Sequence, residues 1–330
     1  MKLRAVVGCA LVALALTACP KKPAESIVSV GEGRQLTDEE IDREPIALLP
    51  GGTVGIVSAD MQKVFASQFG KKVVGIAESR APVPASANFV PSRDLIHAYV
   101  GIYSMQGADV AAVLTGTFDK AAIERAADGT TNTPLGTPVV KSTYANRTLY
   151  TSRNLGFVVL TSRTVLMGNE TGIRRSLDRI KEGRVRDQTP SWFRDLMKTP
   201  NAPIVAGFDL RTAPLTEAAR GQMPFLNGVE TAGMLANLEP PGINVAGTLS
   251  YEDAESAAKG AASLMQVKEL IASWGWLASL MGIAQPIRQL DAKAEGKKAK
   301  FVAGLDAQAI GQLLDQLSTY LGAAMTAPVK

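Results

Sequence analysis

One pattern recurs along this chain and limits its folding more than any other feature. A short β-rich segment runs into an aspartate or asparagine, and an amphipathic helix follows. TVGIVSAD, Thr53 to Asp60, leads into a helix-forming stretch from Met61 to Phe69. GTFDKAAIERAA has the same order, with Asp119 at the junction. TSRTVLMGNETGIRRSLDRI, Thr161 to Ile180, is matched by AKFVAGLDAQAIGQLLDQL, Ala299 to Leu317. A carboxylate or amide at such a junction accepts hydrogen bonds from the first free N–H groups of the helix. Ile173, Leu177 and Ile180 recur at helical spacing, as do Ile310, Leu313, Leu314 and Leu317. Short strands in runs, interrupted by capped helices, predict an α+β fold of mainly antiparallel sheet.

The pattern repeats along the chain. The first series has strands at His97–Met105 and Asp109–Phe118 and a helix over 120–127. A run of short strands between Pro138 and Gly168 and a helix over 170–181 complete it. PIVAGFDL, Pro203 to Leu210, then resembles TVGIVSAD, and strands over 242–251, 287–294 and 299–305 follow, with a last helix from Asp306. We expect two related units, 46–186 and 187–330, each a sheet with helices packed on one face. Arg80 to Arg93 holds three prolines and reads as a loop.

The start of the chain has a different character. Lys2 and Arg4 precede an almost wholly apolar run, Ala5 to Ala18. At about 1.5 Å per residue it is too short to span a hydrocarbon core of about 30 Å as a helix. It has the flanks of a signal-peptide core. Leu16-Thr17-Ala18-Cys19 resembles a bacterial lipobox. The resemblance implies removal of residues 1–18, acylation of Cys19, and attachment to a membrane through lipid. Each buried methylene contributes about 0.8 kcal/mol, so two or three chains anchor firmly where one does not. Pro20 stands where aspartate would favour the inner membrane, so the expected place is the envelope, facing the periplasm, with the outer membrane favoured over the inner. Residues 19–45 read as a solvated tether, although Thr37 and Glu40 have capping-box spacing.

Leu49, Pro50, Gly52 and Thr53 resemble the LP.GT strand start of uncharacterised exported bacterial proteins with paired α+β units. That likeness implies a fold plan and no activity.

Composition removes several chemistries. The two cysteines are Cys9, inside the signal, and Cys19, so the mature body has no disulfide or thiolate chemistry. A formal charge of +4 includes Lys2 and Arg4, which leaves too small an excess to argue for nucleic acid. His97 is the only histidine, from which we expect His-based metal sites, HExxH and Ser-His-Asp triads to be excluded within one subunit. No phosphate loop, nucleophile elbow or dinucleotide fingerprint is present. We therefore expect no cofactor, no metal and no catalytic residue. Asp60, Asp119, Asp209 and Asp306 read as helix caps.

One stretch stands out as a candidate site. SLMQVKELIASWGWLASLMGIA, Ser263 to Ala284, covers more than half a helix circumference with apolar side chains. Met265, Leu270, Trp274, Trp276, Leu277 and Met281 could form a face for a lipid-like small molecule or another envelope protein, or a central core helix. The expected role is non-enzymatic binding from a lipid anchor. The alternatives are a glycan-active hydrolase with paired carboxylates, and a structural envelope spacer.

Overall fold

Twelve strands pair side by side in one sheet. The computed structural model describes residues 36–104, 109–211, 217–280 and 287–326, with side chains described except at 218, 219, 222, 270–280 and 317–326. In chain order the elements are α1 (Asp38–Arg43), β1 (Gly55–Asp60), α2 (Met61–Ala66), α3 (Gly70–Arg80), β2 (Leu95–Ser104) and β3 (Asp109–Gly116). Next come α4 (Lys120–Ala126), β4 (Val140–Tyr144), β5 (Arg147–Ser152), β6 (Leu155–Val159), β7 (Thr164–Gly168) and α5 (Glu170–Lys181). The second half holds α6 (Ser191–Met197), β8 (Ile204–Asp209), α7 (Glu217–Gln222), β9 (Val229–Asn237) and β10 (Gly242–Tyr251). It ends with α8 (Ala254–Leu280), β11 (Ile287–Glu295), β12 (Lys298–Asp306) and α9 (Ala307–Thr326).

The fold is α+β, built from two related units of antiparallel sheet. β1 and β8 meet antiparallel at the centre, with Val57 opposite Ala206. Outward from that seam, β1-β2-β3 leads to β7-β6, and β8-β9-β10 leads to β12-β11. The hairpin β4-β5 extends the first unit further.

Alternation along the strands decides which face each residue serves. On β3 and β7, Val113 stands opposite Leu166 and both enter a core with Ile173 and Leu177 of α5. The next pair, Leu114 and Val165, points the other way, toward Phe118 and Ile123 of α4. Helices thus cover both faces of the first unit. In the second unit too both faces carry a helix: α8 lies on one, with Ala257, Ala261 and Leu264 against Leu249, Ala232 and Ala299, and α6 on the other, with Phe193 against Val205, which corrects the expectation of helices on one face.

Strand β9 is absent from the sequence expectation. Its Gly233 lies under α6, where a Cβ would meet a terminal methyl of Leu196 at 2.6 Å. Gly207 of β8 is under the same helix, where a Cβ would meet Trp192 at 2.6 Å and Phe193 at 2.7 Å. Close helix approach to the seam thus favours residues of low β propensity.

Residues 36–45 correct the expectation of a solvated tether. Thr37 and Glu40 form a full capping box, with Glu40 N donating to Thr37 Oγ1 at 3.3 Å and Thr37 N to Glu40 Oε2 at 2.9 Å. Ile41 is fully buried in the α5-side core. Asp42 Oδ1 accepts from Thr161 Oγ1 at 2.7 Å and Thr164 Oγ1 at 2.6 Å. Arg179 of α5 holds the following segment, donating to Leu49 O at 2.6 Å and Ala47 O at 3.3 Å. The apolar side of this first helical turn therefore belongs to the folded body.

Candidate functional site

A cavity of about 340 Å³ opens between the first unit's sheet and the helices beyond it. Its floor follows from strand register. Leu114, Val165 and Val159 lie in one row across β3, β7 and β6, and Met167 stands opposite Phe157 in the next. The roof is the C-terminal half of α3, with Ile76, Ala77 and Arg80. The chain then passes through Ala81, Pro82 and Val83, and Phe89 and Pro91 return to the rim. Leu95, Phe118 and Ile123 complete the wall. Phe89 and Phe118 are 6.2 Å apart between ring centroids, and Phe157 stacks on Tyr150 at 4.9 Å.

The rim is fixed by local polar bonds. Asp94 Oδ2 accepts from Val90 N at 2.7 Å, and Arg93 Nη2 donates to Asp94 Oδ2 at 2.8 Å. Arg93 also donates to Asn88 O at 2.7 Å. Burial opposes ionisation of Asp94, but the Arg93 guanidinium and the Val90 amide outweigh it and hold the carboxyl below the usual range. This closes the proline-rich loop into a frame, with helical turns at Ala85–Ala87 and Pro91–Asp94.

The lining gives the cavity its chemistry. Apart from Arg80, every side chain in it is aliphatic, aromatic, proline or methionine. Such a space gives water few hydrogen-bond partners, so it favours an apolar occupant. Its volume lies at the low end of the roughly 300–1,000 Å³ typical of small-molecule sites. In the second unit α8 sits directly on the sheet through alanines, so the two units differ here.

The sequence candidates lie elsewhere. Cys19 and Met281 are outside the described residues, as are the side chains of Leu270, Trp274, Trp276 and Leu277. Met265 is half-buried, next to the buried Leu264 in the α8 core. Sequence reasoning passed over the cavity because its floor residues have ordinary strand periodicity. The available signal was the apolar content of the loop RAPVPASANFVPSR, which supplies Pro82, Val83, Phe89 and Pro91.

The other candidates resolve locally. Asp60, Asp119 and Asp306 accept from backbone amides at helix starts. Asp209 accepts from the amide and guanidinium of Arg211, which lowers its pKa. Excluding a Ser-His-Asp triad because of a lone histidine needs correction, since one histidine suffices for it. Ser58 Oγ lies 2.9 Å from His97 Nε2 across β1 and β2. Ser58 is buried, and Asp60 accepts from Lys63 N and pairs with Lys63 Nζ at 3.4 Å. The arrangement is that of a buried strand-to-strand bond. Among the described residues no group of three or more His, Cys, Asp or Glu side chains converges as a metal site, and no helix is long and apolar enough to cross a membrane.

No protein-family model matches the sequence, and no curated protein matches it. Two solved structures of TP0453 are similar in fold. Crystal form I aligns at a TM-score of 0.52 and 10% identity over 83% of this chain and 96% of that one. Crystal form III aligns at a TM-score of 0.53 and 11% identity over 83% and 97%. The likeness extends over most of both chains and shows a shared α+β arrangement.

Proposed function

We propose that this chain is a lipid-anchored envelope protein, facing the periplasm, that binds an apolar ligand and performs no catalysis. The observation that carries the reading is the cavity floored by Leu114, Val165 and Val159, which has an almost wholly apolar lining. The lipobox-like Leu16-Thr17-Ala18-Cys19 supplies the anchor, and the outer membrane is the favoured site. A protein tethered beside a bilayer meets acyl chains at high local concentration. Each methylene moved from water into the cavity gains about 0.8 kcal/mol. The full-length precursor, produced in a bacterial host with its signal intact, tests both parts by mass spectrometry. The mature chain should begin at Cys19 with added acyl mass, and native spectra should show a further bound amphiphile. An unmodified chain still starting at Met1 would overturn the anchor, and a body without any retained lipid would overturn the ligand.

A second reading, docking of another envelope protein, has one specific observation behind it. Val302 is 47% exposed on the sheet face opposite α8, beside an edge formed by β11. Loss of a co-purifying partner on Val302→Lys, with lipid retained, would favour it.

A further inference from the structure

A second cavity, of about 430 Å³, opens where the end of β3 and the start of β7 meet α1. Thr115 and Thr164 stand opposite each other there, the next pair on the α5-side face beyond Val113 and Leu166, so apolar packing gives way to hydroxyls. Asp42 of α1 and Arg163 of the turn before β7 line the same space. Both are fixed at their base. Asp42 Oδ1 takes the Thr161 and Thr164 hydroxyls, and Thr161 Oγ1 in turn accepts from Arg163 N and Thr164 N, each at 2.9 Å. Arg163 O accepts from Gly116 N at 3.0 Å. This clasp uses one carboxylate oxygen and the arginine's backbone. Among the described residues nothing pairs with Asp42 Oδ2, with the Arg163 guanidinium or with the Thr115 and Thr117 hydroxyls. Opposite charges thus border one cavity without forming an ion pair with each other, and holding α1 in place accounts for neither free group. The rest of the wall is apolar: Ile96 is 51% exposed, and Pro45 and the half-buried Tyr99 also line it.

We propose that this cavity binds a saccharide ring, its hydroxyls shared between Asp42 Oδ2 and the Arg163 guanidinium and its C–H face against Tyr99 and Ile96. The site is separate from the apolar cavity and does not rest on the reading given to it. The chemistry fits in three respects. A sugar hydroxyl both donates and accepts, so neighbouring hydroxyls give to a carboxylate and take from a guanidinium at once, and the threonine hydroxyls serve in either role. A simple anion gains from Arg163 but is repelled by Asp42, and a simple cation meets the reverse. A sugar ring also presents apolar C–H faces, which the Ile96 and Tyr99 side of the wall suits and which a small zwitterion would leave unused. The volume falls within the roughly 300–1,000 Å³ of small-molecule sites. Asp42 is the single carboxylate among the described lining residues, so the paired carboxylates of glycoside hydrolysis are not assembled here, and the site binds without cleaving.

The test uses the intact mature protein and saturation-transfer NMR, with glucose, N-acetylglucosamine and glucuronate as probes and glycine and phosphate as competitors. At least one sugar should bind, and neither competitor should displace it. Arg163 is exposed, so Arg163→Gln should leave the urea midpoint unchanged while weakening the sugar about tenfold. Asp42→Asn keeps an oxygen for Thr161 and Thr164 and puts a donor where the free acceptor was. It should give a similar loss with amide exchange over residues 38–43 unchanged. If that exchange rises, the clasp itself has failed and Arg163→Gln decides alone. A preference for one sugar identifies the ring substituent and supports the proposal. Binding of none of the three sugars would overturn it, and so would sugar binding that survives Arg163→Gln. Displacement by glycine or by phosphate would assign the cavity to a zwitterion or an anion and overturn it as well. None of these outcomes bears on the apolar cavity.

Discussion

Leu114 of β3 and Val165 of β7 stand directly opposite each other, and together they floor the cavity under α3. Their strand neighbours Val113 and Leu166 form an equally direct pair on the reverse face, buried under α5. A single register step therefore separates a closed core from an open one. The functional consequence of the fold lies in that contrast: under α5 the first unit is packed shut, and under α3 it holds space.

The N-terminal helical turn should contribute measurably to stability. Ile41 is fully buried against the α5 core, so Ile41→Ala removes buried methylenes and leaves a gap. The expected loss is about 2–5 kcal/mol, read as a lower urea midpoint. A solvated tether at this position would give no change.

Arg179 ties residues 47 and 49 to the loop after α5, donating also to Arg186 O at 2.7 Å. Arg179→Met keeps the aliphatic stem and removes the donors. Each charged hydrogen bond lost costs about 1.5–3 kcal/mol where the carbonyl finds no water. Amide exchange over residues 45–52 should accelerate more than exchange in β10 or β12. Uniform acceleration across the sheet would contradict a local tie.

The burial of His97 sets a pH dependence. Burial holds the His97 imidazole below its ordinary pKa, with the Asp60 charge pulling weakly the other way. The unfolded imidazole takes up a proton near pH 6.5, whereas the folded one does so only at lower pH. The unfolded state binds more protons in that window. Native stability therefore falls as pH drops from about 6.5 toward the folded value. His97→Gln should flatten this segment of the urea-midpoint profile. An unchanged slope in the variant would show that other groups set it.

The seam depends on close approach of α6. Gly207→Ala would push a methyl group into Trp192 and Phe193. The expected destabilisation is about 1–3 kcal/mol, with a change in tryptophan fluorescence. Retained stability with unaltered emission would mean that α6 yields without cost.

Much of this architecture could be read from the chain before its structure. The recurring strand, cap and helix order gave the α+β class, and Asp60, Asp119, Asn169 and Asp306 do accept from helix-start amides. Two kinds of feature were hidden. Strand β9 escaped because Ala232, Gly233, Ala236 and Asn237 are small or polar residues that do not mark a strand. The cavity escaped because a residue lining a void and a residue lining a filled core have the same periodicity. Whether Leu114 meets a side chain or a space depends on how far α3 stands from the sheet. That distance is set by tertiary packing and by the loop from Ala81 to Pro91, which pattern alone marks only as irregular.

The most direct measurement is a comparison of wild type and Leu114→Trp by native mass spectrometry after identical purification. The indole would occupy the space above Val165 and Val159 without touching the α5 core. The account requires a bound amphiphile on the wild type and its loss from the variant, with the urea midpoint preserved or raised. Equal lipid on both proteins would place the ligand elsewhere and contradict the central claim.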